Sequence, residues 1–362
     1  VKLHTICAMA LTMTISTLLS ADDKVLKIYN WSDYFGPETL SRFEEQTGIT
    51  IQYDVFASNE VLESKLLLGK IGYDLVFPAA SNAAKQLQAG ALQPIDSKRL
   101  KHYDNLDPSI LQQLSQYSQG MKPGVPYTWG TVGLAYNVAE LEKRLPGVEV
   151  NSLDVLFNPS HLEKLKSCGI SLLDSPGEMI SITLNYLGHD PYSSDKKVLA
   201  EAEELLQTIR PYISYIDSQK QILDLAAGDV CLALAYSGDA GMAQIKAEES
   251  GSDVTLAYSI PIEGSVLWFD MMAIPIDAPN PELAYQFIDY ILQPEVIAEV
   301  SNAIYYANPN KASLPLIDKE ITDDPNIFPT HAVKSKLFID KTLDSKATKV
   351  RNRVWTRFKI ST

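Results

Sequence analysis

From Val25 onward, short apolar runs alternate with stretches of helical periodicity, and that alternation leaves few folds open. VLKIYN (25–30) reads as a strand. It leads through Trp31-Ser32-Asp33-Tyr34-Phe35-Gly36 to a helix that opens with Pro37 in its first turn and stops at Gly48. ITIQYDVF (49–56) reads as the next strand, Asn59 to Leu68 as a helix, YDLVFP (73–78) as a buried strand and Ala83 to Ala89 as a helix. Strands and helices of this length in alternation indicate α/β units built on a mainly parallel sheet.

The alternation resumes after PYTWGTVGLAYN (126–137). Short helices are expected over Leu153 to Lys166, a strand at ISLLD (170–174), helices at Glu178 to Leu187 and Lys196 to Ile209, and a strand at CLALAYS (231–237). TLAYSIPIEGSVLWFDMMAIP (255–275) then reads as two strands turning at Glu263-Gly264, followed by helix from Pro281 to Val300 and a helical tail after His331. At 362 residues the chain is long enough for two domains, and it has no Gly/Ser linker between them. Two α/β lobes are therefore expected to be joined by continuous strands, here 126 to 137 and 254 to 266, forming a hinge with a cleft between the lobes. Residues 22–130 with 255–300 would form one lobe, and 131–254 with 301–362 the other.

The first residues place Lys2 and His4 ahead of an uncharged apolar run from Ile6 to Leu19, then small residues and Asp22-Asp23. This pattern reads as a secretory signal peptide over 1–21, with an uncleaved anchor as the other reading. Leu19 is not the small residue expected before a cut after Ala21, so the exact cleavage position stays open. The run is shorter than the roughly 18 to 20 residues a spanning helix needs, and an exported, soluble chain is expected. Beyond the signal remain Cys168 and Cys231, which either form one disulfide or persist as two buried thiols. The net charge of −14 argues against nucleic acid or an anionic membrane as the main partner.

In the run Val-Leu-Trp-Phe-Asp-Met-Met-Ala-Ile (266–274), Asp270 is the one polar side chain of a strand that otherwise reads as buried on both faces. A carboxylate there must meet a cation, collect hydrogen-bond donors or stay protonated. Trp268 and Phe269 put aromatic faces beside it, which suits a cationic ligand, while a salt bridge to a core arginine would serve equally. Three other strand ends carry acids beside aromatics or turn residues: Trp31-Ser32-Asp33-Tyr34, Ser175-Pro176-Gly177-Glu178 and Tyr236-Ser237-Gly238-Asp239. Ligands of open α/β sheets bind at such ends. Each has a plainer reading: a turn for Asp33, a capping box for Ser175 and Glu178, a helix cap for Asp239, and core packing for Trp31, Tyr236 and Trp268. Taken together they point to a small, elongated organic polycation, held by carboxylates at its ammonium groups and by aromatic faces along its methylenes.

Catalytic signatures are missing: there is no HExxH, GxSxG, GxxxxGK[ST] or strand-following GxGxxG, and the five histidines are scattered. No cofactor and no metal site is expected. The competing class is a secreted hydrolase using Glu178 with Asp239 or Asp270 as an acid/base pair. A third reading is a receptor whose site has drifted to another cation or become a sensor.

In IYNWSDYFGPETLSRFEEQTGI, YDVFASNEVLESKLL, YDLVFPAAS, KSCGISLLDSP, GDVCLALAYSGD, WFDMMAIP and YYANPNKA, the chain closely resembles the bacterial periplasmic putrescine/spermidine-binding proteins, the substrate-binding components of polyamine ABC importers. The resemblance implies a type II-like two-lobe binding protein, not an enzyme, acting as a monomer that delivers a polyamine to an inner-membrane permease. It also implies that Trp31, Ser32, Asp33 and Tyr34 form an amine-binding loop and that Glu178 and Asp239 meet amine ends. Trp268 and Asp270 would supply an aromatic wall and a further acid, with Tyr236, Ser81 and Tyr306 lining the pocket. Cys168 and Cys231 fall where relatives carry a cysteine pair, which implies the disulfide. Trp268 resembles the spermidine type, whereas Ser32 and Ser81 resemble the putrescine type, so the choice between diamine and triamine stays open.

Overall fold

A computed structural model describes residues 24–115, 117, 122–341 and 343–361. The expected signal segment lies outside the described residues. Ten strands, β1 (Val25–Asn30), β2 (Thr50–Val55), β3 (Leu75–Val76), β4 (Val125–Asn137), β5 (Ile170–Leu172), β6 (Tyr215–Ile216), β7 (Leu232–Tyr236), β8 (Leu256–Ser259), β9 (Val266–Met272) and β10 (Phe338–Ile339), carry the architecture.

The first lobe is built on β2-β1-β3, all parallel, as the alternation of strands and helices demands. Central β1 buries Leu26 and Ile28 completely. YDLVFP contributes only Leu75–Val76 to the ladder, which ends at Phe77-Pro78 because proline has no N–H to donate. Val76 then exchanges backbone hydrogen bonds with Ala273 at 2.9 and 2.8 Å, and this joins β9 to the same lobe. The following helix, Ala80–Gln88, begins three residues earlier than its sequence pattern indicated. Helices Pro281–Ile291 and Pro294–Ile304 close the far side, with Phe287 against Phe43 at 5.0 Å between ring centroids.

In the second lobe β5 lies parallel between β6 and β7. The lobes share β4. Its first half, Val125–Thr131, pairs antiparallel with β9, and its second half pairs antiparallel with β7 and β8. One unbroken strand thus runs from lobe to lobe, as expected for residues 126 to 137. The second crossing differs from expectation, because 254 to 266 is not one strand. Residues 260–265 leave the ladder between β8 and β9: Pro261 carries no donor, the Ile262 N–H turns to Asn151 O at 2.8 Å, and Gly264 N–H closes a turn on Pro261 O at 3.0 Å. Gly264 adopts φ +94°, a conformation glycine reaches without steric cost, which accounts for the Glu263-Gly264 turn.

The tail after His331 is helical only in part. Its segment β10 adds in parallel to β9 at Phe338 and Ile339 before the helix Ser345–Ile360 packs on the second lobe. A disulfide joins Cys168 to Cys231 with Cα atoms 5.4 Å apart, tying the segment before β5 to the start of β7.

Candidate functional site

Where β4 passes between the lobes, the carboxyl ends of the parallel strands face one another across a cavity of about 700 Å³. All eleven residues named from the sequence line it: Trp31, Ser32, Asp33, Tyr34, Ser81, Glu178, Tyr236, Asp239, Trp268, Asp270 and Tyr306. Alternation along β9 decides which side chains arrive there. Trp268 and Asp270 face the cavity, while Phe269 and Met271 point into the apolar core behind it.

Asp270 is 7% exposed, and its Oδ2 accepts the Tyr34 hydroxyl at 2.6 Å. The same hydroxyl lies 2.7 Å from Thr128 Oγ1, and Tyr127 donates to the Tyr34 carbonyl at 2.6 Å, so the loop after β1 is fastened to β4. Among the described residues no lysine or arginine forms an ion pair with Asp270, Asp239 or Glu178. The core-arginine reading of Asp270 is thereby set aside. Burial pushes its carboxyl up to about 7, opposed only by the Tyr34 hydrogen bond.

Glu178 and Asp239 enter from the first turns of the helices that follow β5 and β7, Pro176–Tyr186 and Ser237–Glu249. The expected capping box at Ser175 does not form, since the serine side chain caps no helix N–H. Glu178 instead accepts the Tyr236 hydroxyl at 2.8 Å and is pushed up to about 8 by burial and then by the nearby charge of Asp340. Asp239 serves in both ways that its sequence allowed. Its Oδ2 accepts the Tyr236 N–H at 3.3 Å as a cap, and its Oδ1 accepts the Tyr306 hydroxyl at 2.6 Å. Burial raises its carboxyl to about 7.

The aromatic wall centres on Trp268. Tyr306 and Tyr236 meet it edge-on, with centroids at 5.0 and 5.7 Å, and Tyr34 meets Tyr306 at 6.0 Å. Gly130 on β4 makes room for the indole, because a Cβ there would lie 2.5 Å from Trp268 Cζ2. Trp31 is held by its Nε1–H to the Phe77 carbonyl at 2.9 Å. Asp33 is exposed at the rim with φ +50°, a left-handed turn that aspartate tolerates better than most residues.

Two groups that bear on the site escaped the sequence reading. Thr128, which meets the Tyr34 hydroxyl without lining the cavity, was hidden in the apolar run of β4. Asp340, which accepts the Ser81 hydroxyl at 2.6 Å, follows a strand of only two residues, too short to register as a strand end. Among the described residues no group of three His, Cys, Asp or Glu side chains could hold a metal ion, and no helix is long and apolar enough to cross a membrane.

This sequence and fold have counterparts. The family described as bacterial extracellular solute-binding protein matches residues 38–330. The chain belongs to that family. Among solute-binding proteins it is 45% identical to the putrescine-binding periplasmic protein PotF of Escherichia coli K12, over 94% of this chain and 93% of the relative. It is 44% identical to the putrescine-binding periplasmic protein SpuD of Pseudomonas aeruginosa UCBPP-PA14, over 94% of this chain and 93% of that one. A solved solute-binding protein structure, a putative spermidine/putrescine ABC transporter from Listeria monocytogenes, superposes with a TM-score of 0.81. That match is 29% identical and covers 93% of this chain and 99% of the other. The two-lobe α/β architecture expected from the sequence is the architecture of this family.

Proposed function

We propose that this solute-binding protein is a non-enzymatic receptor that takes a protonated polyamine between its lobes and presents it to an ABC permease for uptake. One observation carries the reading: three buried carboxylates, Asp270, Asp239 and Glu178, line a single aromatic-walled cavity, each braced by a tyrosine hydroxyl and none paired with a protein cation among the described residues. A buried unpaired carboxylate is costly, and an alkyl chain with ammonium ends relieves all three acids at once while its methylenes lie against Trp268, Tyr236 and Tyr306. The names of the relatives, putrescine-binding and spermidine/putrescine-binding, agree with that chemistry.

In this reading Asp270, Asp239 and Glu178 meet ammonium groups, and Trp31, Ser32, Asp33, Tyr34 and Ser81 close over the ligand from the first lobe. Ligand binding favours the closed arrangement because only there do carboxylates from both lobes reach one molecule. The family places such proteins outside the cell or in the periplasm, which agrees with the signal-like residues 1–21; the protein works there as a monomer without nucleic acid. The relatives named above are binding proteins, which supports the receptor over the hydrolase reading. Calorimetric titration of protein unfolded and refolded to strip carried ligand, against putrescine and spermidine, tests the proposal. Tight one-to-one binding of either polyamine is expected, and a folded sample that gives no heat with both would overturn it.

A further inference from the structure

Asp340 brings a further acid into the cavity from the far end of the chain, and its place is set from two sides. On one side β10 pairs Phe338 and Ile339 with Val266 and Leu267, and the Tyr192 hydroxyl donates to the Ile339 carbonyl at 2.8 Å. On the other, Ser81 Oγ reaches Asp340 Oδ2 at 2.6 Å from the Ala80–Gln88 helix of the first lobe, which ties the tail to that helix.

No side-chain cation touches this acid among the described residues. Arg351 is the buried cation of this region and its charge acts on Asp340 from a distance, yet its guanidinium hydrogen bonds go elsewhere. Nη1 donates to the carbonyls of Pro191 and Ser193 at 2.8 and 3.3 Å, and Nη2 to the Gly177 carbonyl and Ser181 Oγ at 3.1 and 2.6 Å. Among the described residues no ion pair includes Asp340. The charge of Asp340 acts on Glu178, and on Asp340 in turn act the favourable charge of Arg351 and the unfavourable one of Glu60, which stands at the start of the helix Asn59–Leu68 on the first lobe. The acids therefore form a series. Asp270 and Asp239 lie around Trp268, joined through the Tyr34–Tyr306 ring contact, and Glu178 and Asp340 continue toward Glu60.

A diamine offers two cationic ends, which serve Asp270, Asp239 and Glu178, and leaves the Asp340 end of the series without an ammonium group of its own. We propose that Asp340, with Glu178 and Ser81, forms an additional ammonium position, so that the site selects an elongated triamine of the spermidine class over a diamine. The inference rests on the polyamine reading above and specifies its substrate. It assigns to the tail after His331 a direct part in selectivity.

The test is calorimetric titration of the stripped wild type and of Asp340→Asn with spermidine and putrescine. The amide preserves shape and can keep its contact with Ser81; thermal melts of the two proteins confirm that the variant is folded. The wild type should bind spermidine more tightly than putrescine. Asp340→Asn should lose at least about thirtyfold in spermidine affinity, as expected for removing one partner of a desolvated charge pair, while changing putrescine affinity by less than about threefold. Equal losses for both ligands, or no loss for either, would overturn the assignment while leaving the receptor reading intact. A folded wild type that binds neither polyamine overturns the receptor reading itself.

Discussion

Tyr34 and Asp270, 236 positions apart in the chain, share a hydrogen bond of 2.6 Å at the floor of the cleft. The contact joins the loop after β1 to the middle of β9, and it is the only polar side-chain contact recorded for Asp270 among the described residues. One neutral donor does not balance a buried carboxylate. The protein's own groups thus leave the ionised carboxylate unbalanced, and that imbalance governs the response of the site to ligand, to pH and to mutation.

Asp270→Asn should weaken polyamine binding by about 2 to 5 kcal/mol, because it removes one partner of a desolvated charge pair. In the empty protein at pH 8 the same change should raise the melting temperature, since the amide carries no charge to desolvate. Calorimetry and thermal melts on one preparation read both effects. Unchanged affinity in a folded variant would make Asp270 structural only.

The raised carboxyls fix the direction of two pH responses. Asp239 and Asp270 near 7 and Glu178 near 8 lie above their unfolded values of roughly 4. The folded empty protein therefore holds more protons than the unfolded chain between about pH 4 and 8. The contribution of these groups to stability is complete below that window and is lost as pH rises through it. Ligand binding runs the opposite way, because a cation needs the ionised acids. Affinity should fall as pH drops below about 8, and binding near pH 7 should release protons. Calorimetry in two buffers of different ionisation enthalpy measures that release; identical heats in both would contradict the charge assignment.

Gly130→Ala places a Cβ 2.5 Å from Trp268 Cζ2 and 2.6 Å from Ser237 Oγ, so the indole must move. Overpacking of this kind costs about 1 to 3 kcal/mol of stability. Because the displaced ring is the aromatic wall, ligand affinity should drop as well. Denaturant unfolding and titration would show both losses, and a variant matching wild type in both would mean that Trp268 has room to spare.

Reducing the Cys168–Cys231 bond, or replacing both cysteines by serine, should lower stability by about 4 kcal/mol by the loop-entropy argument for a separation of 63 residues. Both cysteines lie outside the cavity lining, so polyamine affinity at a temperature where the protein stays folded should be unchanged. Urea unfolding with and without reductant is the measurement.

Much of the site was legible because its signals are local. An acid among apolar neighbours at 266–274, and acids beside aromatics or turn residues after β1, β5 and β7, can be read within a few residues of one another, and all of these segments reach the one cavity. The errors were also local in origin. Ser175-x-x-Glu178 matches a capping box by spacing, but in the fold Tyr236 offers Glu178 a hydroxyl from 58 positions away. The strand expected over 254 to 266 breaks at 260–265, where Asn151 takes the Ile262 N–H from the ladder.

The sequence by itself determined the two α/β units, the continuous strand β4 between them and the residue types of a polycation site, because periodicity, turn residues and an isolated buried acid are properties of neighbouring positions. Only the tertiary structure decided which tyrosine braces which carboxylate, that no protein cation among the described residues reaches the three buried acids, and that Asp340 joins them. Those facts depend on contacts between segments far apart in the chain, and such contacts are set by how the lobes and the tail pack, which no spacing along the sequence encodes.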